Sequence, residues 1–182
     1  MKRIQLMPFG AVPAELLERL SRGLMREFSM PCQVLPAEPE PAFAFNVTRR
    51  QYLSTQILAS LTQRTRPDTW RLLGVTCLDL YIPILTFVFG EAQLQGNCAL
   101  VSAHRLHQEF YGLPGDTGLL HERLLKESAH ELGHTLTLSH CDDYECVMSA
   151  SHGVEYIDLK TSRFCKGCRS SIATRNVAQV SK

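Results

Sequence analysis

Residues 130–134 read His-Glu-Leu-Gly-His, and six residues further on His140 adds a third imidazole. Residues four apart on a helix lie one turn above each other on one face, so His130 and His134 can reach the same ion. Glu131 stands beside them, placed to hold a water on that ion and to take its proton. The motif constrains the fold as well as the chemistry. On a continued helix His140 would lie about 9 Å further along the axis and off the His130/His134 face. For it to join the same ion, the helix must stop near residue 136 and the chain must turn back. Three neutral histidines leave a zinc ion one open position, which marks a catalytic rather than a structural site.

Four of the seven cysteines follow within this stretch. Cys165-Lys166-Gly167-Cys168 is a CxxC knuckle, and Cys141 with Cys146, four residues between them, forms a second pair. Together they fit a tetrahedral four-cysteine structural zinc, so two zinc ions per chain are expected. The tail after His140 is too short to build its own core, and structural zinc is the usual remedy. Cys141 adjoins His140 and Cys146 lies two residues before Met148, so anchoring the thiolates limits where both can go. Lys160, Arg163, Lys166 and Arg169 surround the CxxC; they either offset thiolate charge or form a solvated surface or a weak anion patch. Cys32, Cys77 and Cys98 sit in apolar, strand-like contexts and read as buried free thiols. His104, His107 and His121 lack cysteine partners nearby and read as ordinary surface or partly buried residues.

Nineteen Lys and Arg against eighteen Asp and Glu give a formal charge of +1. A protein that grips nucleic acid carries a basic excess or a basic-aromatic stripe, and this sequence has neither. The apolar run near the N-terminus is broken by Pro8 and Gly10 and followed by Glu15 and Glu18, which argues against a secretory leader. The segment from Leu78 to Phe89 contains Asp79 and Pro83 and is too short to cross a bilayer. A cytoplasmic monomer without disulfides and without membrane or nucleic-acid partners is expected.

Periodicity supplies the elements. A strand is expected over Arg3–Met7, and a helix after Pro13, where Leu16, Leu17, Leu20, Leu24 and Phe28 recur at helical spacing. Cys32–Leu35 reads as a strand, and Gln51–Gln63 as a helix with Tyr52, Leu53, Ile57 and Leu61 in a stripe. Strands follow over Arg71–Thr76, Thr86–Phe89 and Cys98–Ser102, the last two joined by a polar loop as an antiparallel edge hairpin. A long helix covers Leu119–Leu136. The order predicts an α+β fold with an α/β-type N-terminal part: a twisted mixed sheet with an antiparallel edge strand and a long active-site helix. Residues 1–136 form the sheet and helix part and 137–182 a small zinc-stapled subdomain, one catalytic domain overall.

The string HELGHTLTLSHCDDYECVM followed by CKGC resembles the archaemetzincins, a family of the metzincin clan of zinc metallopeptidases. Leu73-Gly74-Val75-Thr76, Asp79-Leu80-Tyr81, Phe87-Val88-Phe89-Gly90 and Ser102-x-x-Arg105-Leu106 are also similar to that family. The resemblance implies a metzincin-like fold with Met148 in a turn beneath the three-histidine zinc. It implies hydrolysis of peptide bonds in peptides or small proteins by a zinc-bound water that Glu131 activates, with endo- and aminopeptidase action both open. It also implies that the edge strand near Phe89–Gln95 pairs with an extended substrate. His152 and Tyr156 are candidates for a second oxyanion stabiliser. Thr137 stands where metzincins place Gly, and the gap from Met148 to Cys165 is one residue shorter than the family pattern. A β-branched residue resists φ > 0, so either the turn is made otherwise, through Leu138-Ser139, or His140 sits less ideally. That departure keeps a second reading open: a non-catalytic, zinc-stabilised peptide-binding protein whose three-histidine site is weak or vacant.

Overall fold

Strand β1 (Arg3–Phe9) sets the architecture. Ile4 and Leu6 point one way, Met7 and Phe9 the other, and all four are buried. A strand buried on both faces needs cover on both, the pattern of parallel sheet between helices. The structure, a computed structural model, describes residues 1–172 and supplies that cover. After β1 come α1 (Ala14–Phe28), β2 (Cys32–Val34), β3 (Phe45–Asn46), β4 (Gln51–Leu53) and α2 (Ser54–Thr62). Then follow β5 (Thr69–Thr76), β6 (Leu80–Tyr81), β7 (Gly90–Ala92), β8 (Cys98–Ser102), α3 (Thr117–Thr135) and α4 (Val154–Leu159).

Five strands form a mixed sheet in the order β2-β1-β5-β8-β7. The first four are parallel, and β7 runs antiparallel to β8 at the edge, with Gly90 opposite Val101 and Ala92 opposite Ala99. Leu73, Val75, Ala99 and Val101 extend the Ile4/Leu6 face, which α1 and α3 cover with Leu20, Leu24, Leu124 and Leu132. Leu72 and Leu100 extend the opposite face, which Ile57 and Leu61 of α2 cover. Each fully buried Leu or Ile contributes about 1.5–3 kcal/mol. A second, smaller sheet has the order β3-β4-β6. Asp116 caps α3, its side chain accepting from Leu119 N at 2.9 Å.

Two expected elements differ. The second helix begins at Ser54 rather than Gln51, because Gln51 and Tyr52 belong to β4. Tyr52 N donates to Asp79 O, and Gln51 Nε2 donates to Asp79 Oδ2 and Thr86 O. The strand expected over Thr86–Phe89 lies instead at Gly90–Ala92. The Thr86 carbonyl is taken by side chains, Arg49 and Gln51, and Phe87 packs under the Arg105 guanidinium at 4.3 Å. Side-chain bonds therefore hold Thr86, while Val88 makes only an isolated antiparallel bridge to Leu80 and Phe89 O accepts from Ser102 N at the start of the β7 ladder.

Beyond α3, Val147, Met148, Ile157 and Phe164 enter the same core as α1, α3 and the sheet. Among the described residues no helix is long and apolar enough to cross a membrane.

Candidate metal centres and active site

α3 ends in a Schellman turn. Thr137 N donates to His134 O at 2.9 Å and Leu138 N to Gly133 O at 3.2 Å, the paired bonds of that cap. Its left-handed position is Thr137 itself, at φ 66°. The expected detour through Leu138-Ser139 does not occur; the β-branched residue adopts the glycine conformation, at a cost of about 1–2 kcal/mol. Thr137→Gly is therefore expected to stabilise the protein by about 0.5–1 kcal/mol after glycine's unfolded-state entropy is subtracted. The melting temperature should rise by about 1–4 °C. A fall would show that Thr137 side-chain contacts outweigh the strain.

This turn brings the three imidazoles together: the ligand atoms of His130, His134 and His140 lie within 4.8 Å of one another. His130 Nδ1 meets Val147 O at 2.8 Å and His134 Nδ1 meets Leu138 O at 2.8 Å. A carbonyl only accepts, so both Nδ1 atoms carry the proton and both neutral rings leave Nε2 bare. The two bare Nε2 atoms face each other at 3.1 Å. Lone pairs at that distance repel unless a cation lies between them. Tetrahedral ligands about 2.0–2.1 Å from zinc stand about 3.3–3.4 Å apart, so the pair fits the ion. Burial depresses all three histidine pKa values, His130 most; the charge of Lys160 also lowers all three, and His134 adds to the effect on His130 and His140. The rings are thereby kept neutral, the ligating form.

Met148 is fully buried beneath this cage. A Cβ on Gly133 would stand 2.3 Å from Met148 Sδ and 3.1 Å from the Phe164 ring, so only glycine lets the turn approach the helix. Gly133→Ala is expected to cost about 1–3 kcal/mol by overpacking and to lower the melting temperature by about 2–10 °C. An unchanged melting temperature would mean the Met148 segment yields freely.

Glu131 is 7 % exposed and lies against the edge strand: a Cβ on Gly90 would stand 2.8 Å from Glu131 Oε1. Burial, reinforced by Glu127 and Glu91 and opposed by Lys160, pushes the Glu131 carboxyl well above the usual range. Sequence reasoning missed these neighbours. Lys160, expected at the surface near the CxxC, is instead 0 % exposed at its side chain. Its Nζ lies 2.8 Å from Glu127 Oε1 as an ion contact without hydrogen-bond geometry, and it donates to Ser149 O at 3.1 Å. The pair ties the Met148 segment to α3 one turn before Glu131. The signal was present as Glu127 four residues before Glu131, but nothing local revealed its partner. Glu91 in β7 accepts from Ser54 and Thr55 at the start of α2.

The four cysteines converge in a second cluster. Cys141 Sγ and Cys165 Sγ are 3.9 Å apart, Cys146 Sγ and Cys168 Sγ 3.8 Å. Disulfide sulfurs stand about 2.05 Å apart, whereas four thiolates about 2.3 Å from zinc stand about 3.8 Å apart, so the cluster fits the ion. Backbone amides point at the sulfurs, Cys165 N to Cys146 Sγ and Cys168 N to Cys165 Sγ. The Cys168 amide draws the Cys165 thiol down to about 7, toward the ligating thiolate. Arg163, Lys166 and Arg169 are exposed around it.

His152 and Tyr156 pair edge to face, centroids 6.0 Å apart, beyond Met148, with His152 close enough for its charge to act on His140. Of the remaining thiols, Cys98 is buried and Cys32 and Cys77 are only half-buried. His104 contacts Cys77 O and His107 lies by Glu109. Neither these two nor His121 joins a metal-ligand cluster among the described residues.

A mixed sheet with one antiparallel edge strand, an HExxH helix running under that edge and a buried methionine turn together define a metallopeptidase of the metzincin type. The sequence model of Peptidase family M54 matches residues 26–174. The archaemetzincin of Methanocaldococcus jannaschii is 45 % identical over 175 residues, covering 96 % of this chain and 95 % of its own. The crystal structure of archaemetzincin from Archaeoglobus fulgidus, complexed with malonate, is 38 % identical, with a TM-score of 0.80 over 93 % of this chain and 99 % of that one. A zinc-dependent peptidase from Methanocorpusculum labreanum is 32 % identical, with a TM-score of 0.85 over the same shares. The chain belongs to peptidase family M54, the archaemetzincins.

Proposed function

We propose that the chain hydrolyses peptide bonds with zinc held by His130, His134 and His140, with Glu131 as general base, and with a second, structural zinc held by Cys141, Cys146, Cys165 and Cys168. The observation that carries this reading is the pair of bare Nε2 atoms 3.1 Å apart, each ring committed through Nδ1 to a backbone carbonyl. Zinc in such a cage supplies a Lewis acid that polarises a carbonyl and lowers the pKa of a water to about 7.

The protein's own groups do the rest. Val147 O and Leu138 O hold the ring planes and tautomers, the orienting contacts on which metal affinity depends. Glu131 takes a proton from the attacking water and returns it to the leaving amine. Its environment favours the protonated carboxyl; beside a divalent cation the carboxylate regains favour, leaving a strong but available base. Bonds from Ser102 N to Phe89 O and from Gln93 N to Cys98 O flank β7. By the alternation of an antiparallel ladder, Gly90 and Ala92 turn their N–H and C=O groups to the open edge. An extended peptide laid there pairs through its main chain, next to Glu131. His152 and Tyr156, on the rim beyond Met148, are the groups available to steady the oxyanion. The vacant-site reading rested on Thr137, which accepts the left-handed conformation and leaves the imidazoles gathered.

The test is zinc per chain in protein purified without chelator, beside a His134→Ala variant. Two ions falling to one is the expected result. Two ions in both proteins would remove His134 from the cage, and one ion in both, with none gained on zinc add-back, would leave only the thiolate site.

A further inference from the structure

A groove of about 1230 Å3 lies between the C-terminal end of α1, the N-terminal half of α3 and residues 160–172. On α3 Glu122 and Leu125 sit roughly 80–180° round the helix from His130 and His134, Lys126 lies one turn before His130, and none of the three histidines lines the groove. Phe28 bridges its aromatic wall, 5.8 Å from Trp70 and 5.6 Å from Phe164, centroid to centroid. Lys126 lines it and is 7 % exposed, with no hydrogen bond or ion pair to another described residue. Its stem is covered while its ammonium stays within reach of an incoming anion, as long cationic side chains do. Arg26, Arg163 and Arg169 add three exposed cations at its margin, against two acids, Glu27 and Glu122.

We propose that this groove docks an acidic peptide segment with an aromatic or aliphatic anchor on another protein chain. Charge complementarity sets the sign of the ligand, and the aromatic wall sets the anchor. The groove is half-open and larger than the roughly 300–1000 Å3 of small-molecule pockets, which favours a length of chain. Glu27 and Glu122 and the net charge of +1 disfavour a phosphate backbone. The ten residues after Ile172 carry Arg175 and Lys182 and no acidic side chain, so they lack the complementary charge.

Trp70 is the chain's one tryptophan and lines the groove, so its fluorescence reports binding there. The probe is an acetylated, amidated octapeptide of Asp and Glu with a central Leu-Phe, titrated into full-length, metal-replete Glu131→Gln protein, which spares the probe if Glu131 is the base. A saturable Trp70 change is expected, weakened about tenfold or more in both Arg163→Glu and Lys126→Met, and about tenfold or more by raising the salt. Arg26→Glu, at the surface, repeats the charge test should Lys126→Met fail to fold. The Lys-substituted peptide should not bind. No signal up to about 1 mM probe, a level of negligible affinity, overturns the proposal. Binding that survives the charge reversals but disappears in His134→Ala places the peptide in the metal cleft and also overturns it. Tighter competition by oligo-dT would assign the groove to nucleic acid, and a signal appearing only after deletion of residues 173–182 would assign it to that segment; either result sinks the proposal.

Discussion

Replacing Glu131 by Gln is expected to lower kcat/KM for peptide hydrolysis by about two to four orders of magnitude, the range for a positioned general base. That loss corresponds to about 3–5 kcal/mol of barrier. The amide matches the carboxyl in shape and fits the same space against Gly90. It also removes a charge that burial, Glu127 and Glu91 all disfavour. Stability and zinc content should therefore equal the wild type or exceed it slightly, which separates lost chemistry from lost structure. Hydrolysis that persists at the wild-type rate in metal-replete protein would take Glu131 out of the reaction.

Cys165→Ser should have the largest effect on stability. Zinc held by four thiolates contributes roughly 10–16 kcal/mol of apparent binding energy in small zinc-folded units. Serine cannot replace the thiolate, and residues 141–168 have little core of their own. Val147, Met148 and Phe164 pack into the main core with α1, α3 and the sheet rather than into one of their own. Loss of one zinc per chain and a melting temperature lower by at least about 10 °C are expected, with hydrolysis falling as well because Val147 O no longer orients His130. A wild-type melting temperature would dispose of the thiolate staple.

Legibility in the sequence followed how local each cause was. The i, i+4 histidines, the CxxC knuckle and the short apolar runs of β1, β5 and β8 are short-range patterns, and the structure places each where the pattern required. Gln51 and Tyr52 carried helical periodicity yet joined β4, because their partners Asp79 and Thr86 lie about thirty residues away. Thr86–Phe89 looked like a strand for want of any sign that Arg49 and Gln51 would claim its carbonyl. Lys160 read as one cation among four near the knuckle; only the fold reveals that it is buried against Glu127. Thr137 is the instructive case. The steric argument against left-handed threonine is sound, but a Schellman cap, two carbonyl-anchored imidazoles and a buried Leu138 together outweigh a cost of about 1–2 kcal/mol.

Both carbonyls that fix the histidine rings, Leu138 and Val147, come after α3 in the chain. During synthesis the sheet and α3 leave the ribosome first, at about 5–20 residues per second. For the next few seconds the histidines are present but their tautomers and planes are not set. The nascent chain therefore carries its motif without a finished catalytic centre. The three-histidine cage acquires its full set of orienting carbonyls only once Val147 has followed α3.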